Sequence, residues 1–277
     1  MELEIIIIYV LCTEFLQAMG HRDDPQAKMS DAEVMTTAIV AMLYYGGNYA
    51  KARKQLGCRQ YIPFMLGKSR FSRRLNRLSH LFVPLFAMLG QTWKGLNTEN
   101  IYSLDTFPIP MCDNIRIARA RIYHHEDYRG YIASKKRYFY GLKVHILVTR
   151  SGEPVEFFIT PGAYSDVTYL DQFDFDLPEG AIVYADKIYN HYLVEDCLQA
   201  DGQVTLSPFR KRNSKRPVPP WIRFLQHYFR KMVETSASLV ERLLPKHIHV
   251  TNAAGFELKV ILFVLALSFD RLLKVAT

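Results

Sequence analysis

The sequence predicts an α/β protein in which a mixed-sheet domain follows an all-helical region. Helical apolar spacing and capping signals dominate residues 1–95. From about residue 100, β-rich runs bounded by glycine and proline alternate with shorter helical segments. A long helix is predicted to begin at Trp221, after three prolines. We therefore expect two domains, residues 1–95 and residues 96–277.

Charge is unevenly distributed along the chain. The 277 residues carry a net charge of +8. Residues 51–77 contain nine lysines and arginines and residues 202–233 contain eight, with no acid in either segment. Residues 153–201 contain eleven acids and one lysine. This division predicts basic surfaces for a polyanion and a separate place where carboxylates gather. The cysteines lie at no metal-binding spacing and no targeting or membrane segment is evident, so we expect a cytoplasmic protein.

The helical region contains a candidate DNA-binding helix. Ser30 and Glu33 have the spacing of a capping box before a helix that Gly46 and Gly47 should end. Two shorter helices follow, over residues 49–56 and 68–78. The second has an apolar face and an arginine face, and the arginines are Arg70, Arg73, Arg74 and Arg77.

An arginine-bearing helix can be a solvated surface helix. Its position as the last of several short helices in an acid-free segment favours a recognition helix of a helix-turn-helix-like region. Specificity for a DNA sequence is then expected in roughly the first 95 residues.

The second region has the element order of a ribonuclease-H-like domain. In such a sheet the first and fourth strands are neighbours and the last helix packs across them. The first predicted element is a strand from Ile101 that Pro108 and Pro110 stop. A hairpin follows, with strands over residues 138–149 and 155–160. The remaining elements are a helix over 165–173, a strand over 181–185, a helix over 189–200, a strand over 204–207 and the long helix from Trp221.

Three acids lie at related places in this order. Asp105 is in the first strand, Asp186 follows a later buried strand, and Glu234 is on the long helix. Alone, Asp105 is typical of a turn carboxylate, and Glu234 is typical of a surface residue paired with Arg230. Together the three acids should converge, and three carboxylates this close stay ionised only beside cations. Two Mg²⁺ ions fit, because Mg²⁺ prefers oxygen ligands and can clamp both oxygens of a phosphoryl displacement.

Several long segments resemble the DDE transposases of bacterial insertion sequences, most closely the group numbered nine-eighty-two. The segments include "SLDTFPIPMCDNIRIARAR", "RGYIASKKRYFYGLKVHILVT", "YADKIYN", "RKRNSKRPVPPW" and "RKMVETSASL". The resemblance covers nearly the whole chain.

The resemblance implies catalytic and metal-binding roles for Asp105, Asp186 and Glu234, with Mg²⁺ as cofactor and Mn²⁺ as a substitute. It implies cleavage at transposon ends and strand transfer into target DNA. The expected partners are terminal inverted-repeat DNA, target DNA and a second copy of the chain, in the bacterial cytoplasm at the nucleoid. The DNA-binding residues expected besides the four arginines of residues 70–77 are Lys187, Arg210, Lys211, Arg212, Lys215, Arg216 and Arg230.

The sequence leaves alternatives open for the site residues and for the function. Ile188 and Ala237 depart from the family pattern and put the activity of this copy in doubt. Asp166 is the substitute for the second acid, and His247 with His249 is a weak candidate for a metal pair. A nuclease of the same fold without strand transfer, and an inactive DNA-binding descendant, are the other functions considered.

Overall fold

The computed structural model describes residues 1–277 except 58–60, 133–134, 211–213, 230–242, 246–247 and 277. The chain divides into two compact units. The helical unit comprises Met1–Met88 and Val240–Thr277, and the sheet unit comprises Leu89–Leu239. Within the described part of the chain, no helix is both long and apolar enough to span a membrane.

The described helices and strands follow in chain order. The helices are α1 (Glu2–Ala18), α2 (Asp31–Tyr45), α3 (Tyr49–Leu56), α4 (Lys68–Arg77), α5 (Phe82–Leu96), α6 (Tyr192–Gly202), α7 (residues 220–229) and α8 (Ala253–Ala276). The strands are β1 (Ile101–Asp113), β2 (Arg129–Ile132), β3 (Arg137–Thr149), β4 (Pro154–Pro161), β5 (Ile182–Ala185) and β6 (Thr205–Pro208).

Helix α2 is the central helix of the helical unit. The predicted capping box is confirmed: the Glu33 amide donates to Ser30 Oγ at 3.1 Å, and the Ser30 amide donates to the Glu33 carboxylate at 2.6 Å. The helix ends at Gly46, whose φ of 55° is left-handed and suits glycine. Between these ends nearly every side chain is apolar or small and buried, so α2 must be covered on several sides.

Helix α8 provides part of that cover. Residues 262–269 of α8 are all buried, and α8 packs against α2. Gly47 lies so close to this helix that an added Cβ would come within 3.0 Å of the Phe263 ring. We predicted that the C-terminal helix belongs to the domain of residues 96–277, whereas it packs within the helical unit. An apolar helix must be buried, but its sequence does not specify which unit buries it.

The sheet confirms the predicted ribonuclease-H-like arrangement. Its strand order is β2-β3-β1-β5-β6, and β4 pairs with the same edge of β3 as β2. Strands β1, β3 and β4 pair antiparallel, whereas β1 with β5 and β5 with β6 pair parallel. The hairpin around Gly152 is present as predicted. Counted without the short β2, the first and fourth strands are neighbours.

Strand β1 differs from the prediction that prolines end it. Pro108 and Pro110 lie inside the strand, opposite Lys143 and Gly141 of β3. Strand β5 pairs only with residues 101–104 of β1, so the rest of β1 has no β5 partner on that side. A strand with one open edge tolerates proline, because an N–H that points to the open edge has no partner to lose.

Two predicted helices are also shorter than expected. Residues 165–173 form only a short 3₁₀ turn over Leu170–Gln172. Helix α6 begins at Tyr192 because residues 187–189 form a separate 3₁₀ turn and the His191 side chain accepts from the Val194 amide at 3.3 Å. In both segments tertiary contacts of buried side chains override the local helical pattern.

Candidate active site and DNA-binding surfaces

Asp105 and Asp186 lie side by side in the register of the sheet. In the parallel pair of β1 and β5, Leu104 is the partner of Ala185. Asp105 and Asp186 are the next residue on each strand. Because the carboxyl ends of parallel strands meet at one edge, the fold brings together two acids that are 81 residues apart.

Each of the two acids is held by the backbone that follows it. Asp105 Oδ1 accepts from the Thr106 amide and Asp186 Oδ1 accepts from the Lys187 amide, both at 2.8 Å. Both residues are half-buried. Carboxylate oxygens are among the ligands that Mg²⁺ prefers.

Tyr189 connects the two acid-bearing segments. Its side chain is buried, and its hydroxyl is hydrogen-bonded to the hydroxyl of Thr106, the residue after Asp105. Burial raises the pKa of Tyr189 well above its usual value, and the negative charges of Asp166, Asp105 and Asp186 add to this. The charges of three carboxylates thus act on the hydroxyl of Tyr189. The buried tyrosine therefore fixes the turn after Asp186 against β1.

A buried histidine continues this network into the sheet. His145 Nδ1 lies 2.8 Å from Thr106 Oγ1, and its Nε2 lies 2.9 Å from Thr160 Oγ1. The ring stacks on Phe158 with centroids 4.3 Å apart. Burial, assisted by the charge of Lys143, lowers the pKa of His145 to about 3. His145 is therefore neutral at physiological pH and positions Thr106.

Asp166 lies in a different environment from the other two acids. Its carboxylate accepts from Lys143 Nζ at 2.9 Å, and the same ammonium donates to the Tyr164 carbonyl at 2.8 Å. Both side chains of the pair are largely buried. Lys143 thus already neutralises Asp166, which makes Asp186 the better second acid.

Other residues of the predicted site have different outcomes. Lys187 is exposed beside Asp186, and Ile188 is 45% exposed, so the isoleucine does not fill the space around Tyr189. Glu234 and Ala237 lie outside the described residues. The same holds for three of the predicted DNA contacts, Lys211, Arg212 and Arg230, and for His247.

Helix α4 exposes most of its predicted arginine face. Phe71 and Leu75 are buried on one side, and Arg70, Arg73 and Arg77 are exposed on the other. The connection from α3 to α4 spans residues 57–67, which is longer than the three- or four-residue turn of a tight helix-turn-helix. A cleft of about 600 Å³ lies along this arginine face.

Arg74 points inward. Its Nε donates to Asp31 Oδ1 at 2.6 Å, and its Nη1 donates to the Met29 carbonyl. His21 Nε2 contacts the other oxygen of Asp31 at 2.8 Å, and Asp23 lies 3.7 Å from the same nitrogen. The hydrogen bonds from His21 and Arg74 lower the pKa of Asp31 against the effect of its burial.

The grouping of His21, Asp23 and Asp31 is one that sequence analysis missed. Their ligand atoms lie within 4.8 Å of one another, close enough for a cation. Arg74 already supplies a positive charge to Asp31, so the arrangement is a closed ion-pair network that ties α4 to the start of α2. Residues far apart in sequence form it, and no local motif marks it.

The described arginines of the basic segment 210–216 also form ion pairs with acids of α6. Arg210 makes a two-pronged ion pair with Glu195 of α6 at 2.8 and 2.5 Å, and both side chains are more than 90% buried. Arg216 pairs with Asp196 at 2.7 and 2.8 Å but stays 44% exposed. Lys215 is exposed. Arg210 therefore holds the segment to α6, which differs from the role in DNA binding predicted for it.

Comparison with protein families gives one match. Residues 95–249 match the family model of the transposase DDE domain. This match covers more than half of the chain and contains Asp105 and Asp186. The chain belongs to the DDE transposase family. A DDE domain acts on DNA with divalent metal ions, which agrees with the two carboxylates that lie side by side where β5 ends next to β1. Comparison with curated proteins and with solved structures found no match.

Proposed function

We propose that this transposase cleaves DNA at transposon ends and joins the freed end to target DNA, with Mg²⁺ as the metal. The observation that carries the proposal is the register of β1 and β5, in which Asp105 and Asp186 directly follow the partners Leu104 and Ala185. Two acids side by side where β5 ends next to β1 suit a pair of metal ions. The insertion-sequence group nine-eighty-two stays a prediction from the resemblance.

The two acids would hold the ions, and Glu234 would supply the third carboxylate. When bound, two Mg²⁺ ions stabilise charge on the attacking and leaving oxygens of an in-line displacement at phosphorus. The Thr106–Tyr189 contact keeps both acid-bearing segments in place. Lys187 is exposed next to Asp186 and is suited to balance the charge of a DNA phosphate.

The reaction has two stages with the same bond chemistry. In the first, water attacks the phosphate at the transposon end and releases a 3′-hydroxyl. In the second, this hydroxyl attacks a phosphate of target DNA, forms a new phosphodiester bond and releases the target strand's own 3′-oxygen. Both stages need DNA held near the acids. We propose Arg70, Arg73 and Arg77 for the transposon end, and we expect a dimer of the chain to bring two ends together.

The test measures cleavage and joining separately. Asp105→Asn and Asp186→Asn should each abolish Mg²⁺-dependent cleavage of transposon-end DNA and leave DNA affinity within about twofold, because neither acid lies in a basic surface. Mn²⁺ binding, followed by electron paramagnetic resonance, should weaken in both variants. Asp171→Asn is the matched control, because Asp171 is an exposed acid of the same unit.

Each outcome decides between functions. Cleavage without joining of a pre-cut end would favour a nuclease over a transposase. DNA binding with neither reaction in the wild-type protein would favour an inactive DNA-binding descendant. Normal cleavage by either asparagine variant would remove that acid from the site.

A further inference from the structure

We infer that the exposed face of the β2–β3 hairpin is a second DNA-binding surface, which contacts duplex DNA beside the cleaved phosphate. The hairpin face is defined by five described residues: Arg129, Tyr131, Lys135, Lys136 and Tyr138. This inference rests on the proposed function, because it places the same DNA along the sheet unit.

The first support is charge. Residues 114–138 contain seven arginines and lysines and two acids, and the stretch 129–138 contains four cations and no acid. Lys135, Lys136 and Arg137 are all exposed. Arg137 contacts Asp113 at 3.2 Å. In the described part of the chain, no carboxylate lies within 4 Å of the ammonium of Lys135 or Lys136. These two lysines are suited to phosphates.

The second support is the aromatic pair between the cations. Tyr131 and Tyr138 are directly opposite in the antiparallel register, with ring centroids 4.9 Å apart. The rings remain 51% and 47% exposed, and the Arg129 guanidinium lies 4.4 Å from the centre of the Tyr138 ring. Cross-strand pairing explains why the two rings touch. Rigid amphipathic rings left exposed among cations are typical of a surface that binds a partner, and here they can pack against deoxyribose.

The third support is position. Tyr140 of β3 is the register partner of both Arg129 and Cys112, and Cys112 is seven residues after Asp105 on β1. At about 3.3 Å per residue this separation is about 23 Å along the strand. The hairpin therefore lies in the direction in which β1 continues past Asp105 towards its carboxyl end at Asp113. A duplex with one phosphate at Asp105 that runs along β1 would meet the hairpin face about seven base pairs away, at 3.4 Å per pair.

The hairpin is rigid enough to act as a surface. Gly130 packs so closely that an added Cβ would lie 2.4 Å from the Phe139 ring and 2.7 Å from the Gly162 carbonyl oxygen. Gly130 and Ile132 are buried on the inner face, which Arg137 shares as the register partner of Ile132, while Tyr131 and Tyr138 are exposed on the outer face. The cations are thus presented from a packed sheet edge.

The experiment measures binding of the full-length protein to a labelled 40-base-pair duplex of arbitrary sequence over a series of salt concentrations. Lys135→Gln with Lys136→Gln should lower the slope of log affinity against log salt by about 1.8, because each phosphate contact contributes about 0.9. The dissociation constant near 0.1 M salt should rise on the order of tenfold. Lys135→Arg with Lys136→Arg keeps the charge and should bind like wild type. Lys274→Gln, an exposed lysine of α8, should also bind normally.

A cross-link provides a readout that does not depend on charge. Tyr131→p-benzoylphenylalanine should cross-link to the duplex on illumination, whereas the same replacement at Tyr9, an exposed tyrosine of α1, should not. On transposon-end DNA the cross-link should map about seven base pairs from the cleaved phosphate. An unchanged salt slope in the glutamine variant and no cross-link at Tyr131 would overturn the inference. The inference would also be overturned if the glutamine variant bound the duplex like wild type and lost affinity only for single-stranded DNA or for an acidic protein.

Failure of this inference is distinguishable from failure of the proposed function. A wild-type protein that binds and cleaves DNA with no contribution from the hairpin face would refute the inference alone. A wild-type protein that binds no duplex would refute both.

Discussion

Helix α4 and the segment 210–216 are both rich in arginine, and they use these residues in opposite ways. Helix α4 exposes Arg70, Arg73 and Arg77 and turns only Arg74 inward. In the segment 210–216, both described arginines contact acids of α6, and Arg210 is buried with Glu195. The number of cations in a segment therefore does not measure its surface charge. The acids within reach in the fold decide which cations remain for DNA.

The largest expected effect tests the buried side of this comparison. Arg210→Met leaves the buried Glu195 with only Arg216, at 3.6 Å, as a cation partner among the described residues and should destabilise the sheet unit by up to about 3–5 kcal/mol. The measurement is urea unfolding of the full-length protein followed by circular dichroism. Lys215→Met, at an exposed position of the same segment, should change stability by less than about 0.5 kcal/mol.

A double variant separates lost pairing from lost packing. Arg210→Met with Glu195→Leu should regain most of the stability, since both charges of the buried pair are then removed. If Arg210→Met alone were as stable as wild type, the guanidinium would not be buried against Glu195, and the contrast with α4 would fail.

The second prediction separates the inward arginine of α4 from the exposed ones. Arg74→Gln removes charged hydrogen bonds to Asp31 and should destabilise the helical unit by about 1–3 kcal/mol with little change in the salt slope of DNA binding. The triple variant Arg70→Gln, Arg73→Gln and Arg77→Gln should behave in the opposite way. Its salt slope should fall by about 2.7, with stability near that of wild type. Equal effects of the two variants on DNA binding would contradict the division.

The last prediction concerns a histidine that is buried without charge, and its effect per pH unit is smaller than the two before it. The folded protein holds the pKa of His145 at about 3, whereas the unfolded chain has a value near 6.5. Between these values only the unfolded state takes up the proton, so stability is complete above about pH 6.5 and falls as the pH falls towards 3. His145→Asn should reduce this dependence by up to about 1.4 kcal/mol per pH unit, measured by denaturation at pH 4–7. His80→Asn, at an exposed histidine, should leave the slope unchanged.

Local signals predicted much of the fold. The capping box of Ser30 and Glu33, the glycine stop at Gly46 and the hairpin at Gly152 depend on neighbours within a few residues, and each is present. The strand order of a ribonuclease-H-like sheet was enough to predict that Asp105 and Asp186 lie together. Each follows by one residue the last pair of β1 and β5, Leu104 and Ala185, so the register brings them together.

Contacts between distant segments were beyond the sequence. Nothing near Arg210 indicates that Glu195, fifteen residues earlier, would take its charge. The link from Thr106 to Tyr189 spans 83 residues, and the contact of Arg74 with Asp31 spans 43. Tolerance of Pro108 and Pro110 inside β1 depends on where β5 stops. Each of these features depends on which surfaces meet after folding.

The packing of α8 against α2 sets an order of events during synthesis. Helix α2 is made early, but a helix that covers it leaves the ribosome about 230 residues later, which takes roughly 10–50 s at 5–20 residues per second. During that interval the apolar surface of α2 lacks this cover, and a chain that stops before Ala253 never gains it. Prematurely terminated copies, including an isolated fragment of residues 1–95, should therefore be targets for chaperones and proteases. The fold in this way couples the stability of the helical unit to the completion of the sheet unit.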